Sequence, residues 1–186
     1  MDFTKINDSL ESVDNDVSYI ENIINDIVNE YSSDLDKIME NIYNNVINDE
    51  YPAINTIEKY FMELSNCLYF MCEKSERLGI FDSISKSKAQ ETYNTKYLEH
   101  QHSNDGMVGA KKPTVAESQA ISENASIYDK TVNDLYNRAY KIIKAKVSAA
   151  ETMVSTLSKI LSHRMQESQL VSVQTGRKIL NEENVF

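Results

Sequence analysis

Residues that turn a backbone are scarce in this chain. Its 186 residues include 4 glycines and 2 prolines. So few breakers leave room for few turns, which argues against an all-β fold and against a fold of alternating strands and helices. Tryptophan is absent, and Cys67 and Cys72 are the only cysteines. Five residues apart on a helix, they lie about 140° apart around the axis and do not pair. Both fall in an apolar stretch and read as small buried hydrophobes. Unpaired thiols, with no signal-peptide pattern at the start, point to synthesis in a reducing cytoplasm. Long hydrophobic runs are missing too. The longest, Cys67 to Cys72, falls far short of the roughly 20 residues needed to cross a membrane.

Positive charge is also scarce, and its placement is uneven. The net charge is −10. Residues 1–50 hold 13 acidic side chains against two lysines, Lys5 and Lys37, whereas residues 137–180 hold eight basic side chains against Glu151 and Glu167. An acidic segment and a basic segment either meet each other or meet different neighbours.

What the chain has is helical periodicity. Ile6, Leu10, Val13, Val17, Ile20, Ile24, Ile27 and Tyr31 repeat with the alternating steps of four and three that keep one narrow apolar stripe facing a partner helix. After Tyr31 the stripe slips by one residue and continues through Leu35, Ile38, Ile42 and Val46, a stutter that locally unwinds a supercoil. The pattern predicts a first helix over about 4–48, roughly 65 Å long. Asp49 to Pro52 break it, and Pro52 suits the first position of a second helix. That helix carries Ile54, Ile57, Phe61, Leu64, Leu68 and Met71, widened by Tyr60, Cys67, Tyr69, Phe70 and Cys72. It reads as the most buried element, ending at Gly79 in a left-handed cap.

A turn over 80–85, with Asp82 or Ser83 as N-cap, leads into a weaker third helix ending near His100. Residues 101–112 are the one clear loop, closed by Pro113. Thr114-Val115-Ala116-Glu117 has the spacing of a capping box, in which each end of the tetrapeptide satisfies a backbone N–H of the other. No Gly or Pro follows until Gly176, so a final helix of about 60 residues is expected, roughly 90 Å long.

Chemistry finds little support in these residues. His100 and His102 flank Gln101, but no third or fourth metal ligand stands at a recognisable spacing. No nucleophile elbow, Cys–His pair with an orienting group or phosphate-binding glycine loop is present. We expect no catalytic residues, no metal and no cofactor. Arg138, Lys141 and Lys144 gather on one side of the last helix, with Tyr136 and Tyr140 beside them, a candidate contact for nucleic acid. Pairing of this stripe with the acidic N-terminal segment is the favoured alternative. The acidic polar face of the first helix has the wrong sign for anionic lipid, so no membrane partner is expected.

The stretch from Pro113-Thr-Val-Ala-Glu through Leu161-Ser-His-Arg-Met165 resembles small helical proteins of tailed bacteriophages. Heavy use of Asn and Ile and the scarcity of Gly accord with it. The resemblance implies a virion ring, neck or internal component, or a helical recombination mediator that forms rings and helps load recombinase on single-stranded DNA. Mediators are generally basic, and this chain departs from them in charge, so no residue is carried over.

The sequence thus predicts an all-α protein, an N-terminal antiparallel helical hairpin packed on a long C-terminal helix in an elongated bundle. Its segments are an acidic hairpin plus short third helix (1–100), a loop (101–113), the long helix (114–175) and a tail (176–186). The expected function is a non-enzymatic, oligomerising structural or assembly protein, a virion component. Its partners would be further copies of itself and other structural proteins, made in the host cytoplasm and carried into the virion. The interface would be the stripe Met153, Val154, Leu157, Ile160, Leu161 and Met165, because the first two helices cover only about half of the last. A single-stranded-DNA accessory protein is the alternative, and an acidic adaptor or inhibitor of a host enzyme is a third reading.

Overall fold

The computed structural model describes the backbone of residues 3–103 and 112–183, and the side-chain surroundings of 11–103, 112–171 and 173. Ile6 and Leu10 of the expected stripe, most of the expected loop, and the side chains of the tail lie outside the described residues. The described chain is all-α: helices α1 (Phe3–Ile42), α2 (Ile54–Gln101), α3 (Val115–Ala125) and α4 (Ile127–Glu183), with one π-helical turn (Tyr43–Ile47) after α1. It has no strand among these residues.

The first helix follows the sequence closely. Its final turn widens into the π-helical turn, where the Asn48 N–H donates to the Tyr43 carbonyl at 3.0 Å. Such a turn absorbs one extra residue, a second slip in the same helix that carried the stutter. The break at 49–52 is real. Asp49 Oδ1 accepts from the Tyr51 N–H at 3.0 Å, a short side chain closing a turn on its own backbone. Pro52 does not begin the next helix, however. It is buried two residues before Ile54, and the Ala53 carbonyl accepts from Thr56 and Ile57.

Gly79 does not end α2. The helix continues for 22 residues beyond it to Gln101, so the turn over 80–85 and the separate third helix are absent. Two local facts account for this. The hydroxyls of Ser83, Ser85 and Ser87 donate back to the carbonyls of Gly79, Asp82 and Ser83, so they decorate a running helix rather than cap a new one. Gly79 itself lies against the Tyr140 ring of α4. A Cβ there would stand 3.3 Å from ring carbons, so the glycine serves close helix approach rather than a turn.

The capping box forms as read. Thr114 Oγ1 accepts from the Glu117 N–H at 3.2 Å, and Glu117 Oε2 accepts from the Thr114 N–H at 2.9 Å. The expected single last helix is interrupted only at Ser126, whose ψ of 1° separates α3 from α4. Helical hydrogen bonds flank that residue on both sides. Gly176 does not stop α4, which runs on to Glu183.

The chain divides into two compact units, Met1–Tyr31 with Glu73–Lys144, and Ser32–Cys72 with Ala145–Phe186. The first has a core of small side chains. Ile24, Val28, Leu78 and Ile143 are joined there by Ala89, Ala139 and five buried serines, Ser75, Ser85, Ser118, Ser122 and Ser126. The second has an aliphatic core. Leu35, Ile42, Val46, Ile57, Leu64, Met71, Ala150 and Leu157 are buried, and Ser32 is the one buried polar residue among its described residues. The inner stripe of α2 is as read, but its breadth is not. Tyr69, Phe70 and Cys72 face solvent and Cys67 is half-buried, because a single neighbouring layer covers only one side of the helix. Neither cysteine is in a disulfide.

Candidate protein interface

On α4 of the second unit, Ala150, Leu157, Arg164 and Val171 follow one another at seven-residue steps, so they occupy one face. Ala150 and Leu157 are completely buried. This corrects the expected interface: Leu157, its centre, is closed off inside its own unit. Met153, Val154, Ile160 and Leu161 are half-buried beside it, and only Met165 of the expected stripe is exposed. The α1–α2 hairpin covers α4 further along than the sequence suggested.

The cover ends near Arg164. Its guanidinium carbon lies 5.2 Å from the centre of the Tyr51 ring, a cation–π contact. Its Nη1 donates to Glu167 Oε2 at 2.8 Å. Tyr51 sits in the α1–α2 connection, so Arg164 marks the level at which the hairpin turns back. Past this level the same face of α4 emerges. Val171 is 63% exposed, and Leu170, on the other side of the helix, is 64% exposed, with Val173 close to it on that side. An open groove of about 800 Å³ lies here, its lining mixed: Tyr51, Ile54, Leu170 and Val171 together with Arg164 and Glu167. Exposed apolar side chains thus stand on two sides of the helix here, interspersed with the exposed polar Gln166, Ser168 and Gln169.

A second exposed apolar stripe lies on α1 in the first unit. Every residue from Glu11 to Tyr19 is exposed, and Ile24 is the first buried one among the described residues. Val13 and Val17, two members of the heptad, are 56% and 46% exposed. Residues 11–30 contain six acidic side chains and no basic one.

The basic stripe is divided. Arg138, Lys141 and Lys144 are exposed, and Lys144 Nζ stands 5.8 Å from the centre of the Tyr140 ring. The tyrosines are not available to stack on bases. Tyr136 stacks on Phe81 with centroids 5.5 Å apart, and Tyr140 packs over Gly79. Lys146, by contrast, meets α1. Its Nζ donates to Asp36 Oδ2 and to Ser32 Oγ, a partly exposed pair worth about 0–1 kcal/mol.

The histidines are occupied structurally. His100 Nδ1 is 2.9 Å from Ser118 Oγ, which also accepts from Gln101 Nε2 at 2.8 Å. This contact joins the end of α2 to α3 within the first unit. His163 is exposed, 3.4 Å from Glu167. Among the described residues no three His, Cys, Asp or Glu side chains converge as metal ligands, and no helix is long and apolar enough to cross a membrane.

Sequence reading missed one constellation. Asp82 Oδ1 accepts from Asn133 and Asn137, and Asn133 also bonds the Asp82 carbonyl and Ser85 Oγ, all at 3.0–3.1 Å. Nearby, Thr92 donates to Asp129 at 2.7 Å. These bonds pin α2 to α4 in the first unit. The steps of four in Ser118-Ser122-Ser126 and Asn133-Asn137 were visible signals of a polar face turned inward.

The described residues form an all-α fold with exposed apolar stripes on α1 and α4. No family model, curated protein or solved structure matches the chain.

Proposed function

We propose that this chain is a structural or assembly protein that associates with further copies of itself through helix–helix contacts, and that it serves as a virion component of a tailed bacteriophage. One observation carries the self-association: the face of α4 that is buried at Leu157 continues to Val171, which is 63% exposed, with Leu170 and Val173 exposed on the other side. The interface therefore moves C-terminally, from the stripe around Leu157 to the segment 165–173. The resemblance of residues 113–165 to tailed-phage helical proteins supports the virion assignment.

Light scattering after size exclusion tests the self-association. The single chain has a mass of 21.3 kDa. A defined multiple of it is expected, and the single-chain mass would overturn the reading. The virion assignment is tested separately, by looking for the protein in purified particles of the phage that encodes it.

A second reading, a single-stranded-DNA accessory protein, draws on the exposure of Arg138, Lys141 and Lys144. It predicts binding to an oligonucleotide that weakens steeply with salt and with loss of those charges. The absence of binding at low salt would remove it.

A further inference from the structure

We infer that the seam between α1 and α4 in the first unit is a clasp. Open at its N-terminal end in the structure, it closes by laying Val13 and Val17 of α1 on Tyr128 and Val132 of the same chain.

Register is the first observation. The buried residues of the two helices match at one offset. Ile24 with Ala139, and Val28 with Ile143, each stand 115 positions apart. A constant offset is what two parallel helices at the same level give. The cavity between them agrees: Val17, Ile20 and Glu21 of α1 line about 320 Å³ together with Thr131, Leu135 and Arg138 of α4.

The second observation is how the cover is lost. At that same offset, both helices emerge in step toward their N-terminal ends. Ile24 and Ala139 are buried, and Ile20 and Leu135 are half-buried. Val17 and Val132 are 46% and 45% exposed, and Val13 and Tyr128 are 56% and 82% exposed. The spacing does not change where the cover ends. Val13, Val17, Ile20 and Ile24 step by four, three and four, and so do Tyr128, Val132, Leu135 and Ala139. Each exposed residue therefore has, as its partner in register, an exposed residue of the other helix. Closing would take both from water, which favours it.

The third observation is that α2 is engaged on another side of α4. It bonds Asp129 through Thr92 and Asn133 through Asp82, which leaves the face of Tyr128 and Val132 to α1. Charge opposes the closing. Asp14, Asp16 and Glu21 on α1 approach Asp129 and Asp134 on α4, against Arg138 and Lys88, the latter 3.6 Å from Asp129. Closure is accordingly favoured at high ionic strength, where like charges are screened.

Cross-linking tests the clasp. In a Cys67→Ser, Cys72→Ser background, one variant carries Val13→Cys with Tyr128→Cys. A control carries Val13→Cys with Lys130→Cys, at the same level of α4 but off the seam. Positions 13, 128 and 130 are exposed, so both variants should keep the helical circular-dichroism signal of the wild type. Each is treated with a short bismaleimide at about 1 M salt, where the screening length is about 3 Å, and then sized under denaturing conditions. Most of the seam variant should be linked within one chain, and little of the control. Linking between chains would show that α1 of a second copy covers the stripe, and would overturn closure within the chain while leaving self-association standing. Equal linking in both variants, or none in the seam variant, would overturn the clasp whatever the mass of the native protein.

Discussion

Both compact units draw on α1, α2 and α4, yet they hold together differently. In the second unit, Leu35, Ile42, Ile57, Leu64, Met71 and Leu157 form a buried aliphatic seam. In the first, serines and alanines fill the interior, and Asp82, Asn133, Asn137, Thr92 and Asp129 bond across it. Large apolar side chains remove more surface from water, at about 25 cal/mol per Å². Small side chains let helix backbones approach, and their fit is sensitive to added volume. Partly buried polar bonds such as these add little net stability but penalise arrangements that leave them unmade. The contrast assigns stability by burial to the second unit and specificity of helix register to the first.

Truncation should therefore weaken the second unit most, and enlargement the first. The largest effect expected is Leu64→Ala in the second, which leaves a cavity in a completely buried position and should cost about 2–5 kcal/mol by denaturant unfolding. A value below about 1 kcal/mol would mean that the seam is loosely packed. Gly79→Leu in the first unit adds volume against the Tyr140 ring, already within 3.3 Å of a Cβ, and should cost about 1–3 kcal/mol. A stabilised Gly79→Leu would show that helix propensity outweighs close approach there.

Smaller effects sharpen the role of the polar bonds. Asp82→Ala strips Asn133 and Asn137 of their shared acceptor and should cost about 1–2 kcal/mol. Hydrogen exchange of α2 amides beyond Gly79 should speed up with it. An unchanged exchange pattern would detach those bonds from helix register. The smallest effect concerns Tyr31. Burial, then the charge of Glu30, pushes its phenol above the usual value of 10.0, against the pull of Arg77. The phenol ionises first in the unfolded chain, so the folded state loses stability as pH rises through that value. Tyr31→Phe should blunt the alkaline loss, seen as a smaller shift in denaturation midpoint between about pH 9 and about pH 11. Equal shifts in both proteins would place the alkaline loss elsewhere.

Legibility in the sequence followed the same division. Where large apolar residues recur at helical spacing, as in Leu35, Ile42 and Val46 or Ile57, Leu64 and Met71, the buried face could be read directly. The Thr114–Glu117 cap was equally plain, because it is made within four residues. The reading failed at Gly79, taken for a helix end, and at Gly176. A glycine reports conformational freedom, and whether that freedom serves a turn or a close contact depends on a residue 61 positions away, Tyr140. It failed again at Leu157, whose burial depends on how far the hairpin of α1 and α2 reaches along α4. The inward serines escaped notice because hydrophobic periodicity has no signal for a polar core.

The sequence by itself determined that the chain is helical, where α1 breaks before α2, which face of each helix carries the large apolar side chains, and how charge is divided along the chain. These follow from local propensity, spacing and composition, which act within a few turns. Only the tertiary structure decided that α2 runs through Gly79, that Asp82 meets Asn133 and Asn137, and that the α4 stripe is closed at Leu157 and open at Val171. Each of those outcomes depends on which distant segment lies alongside, and periodicity marks an apolar face without saying what covers it.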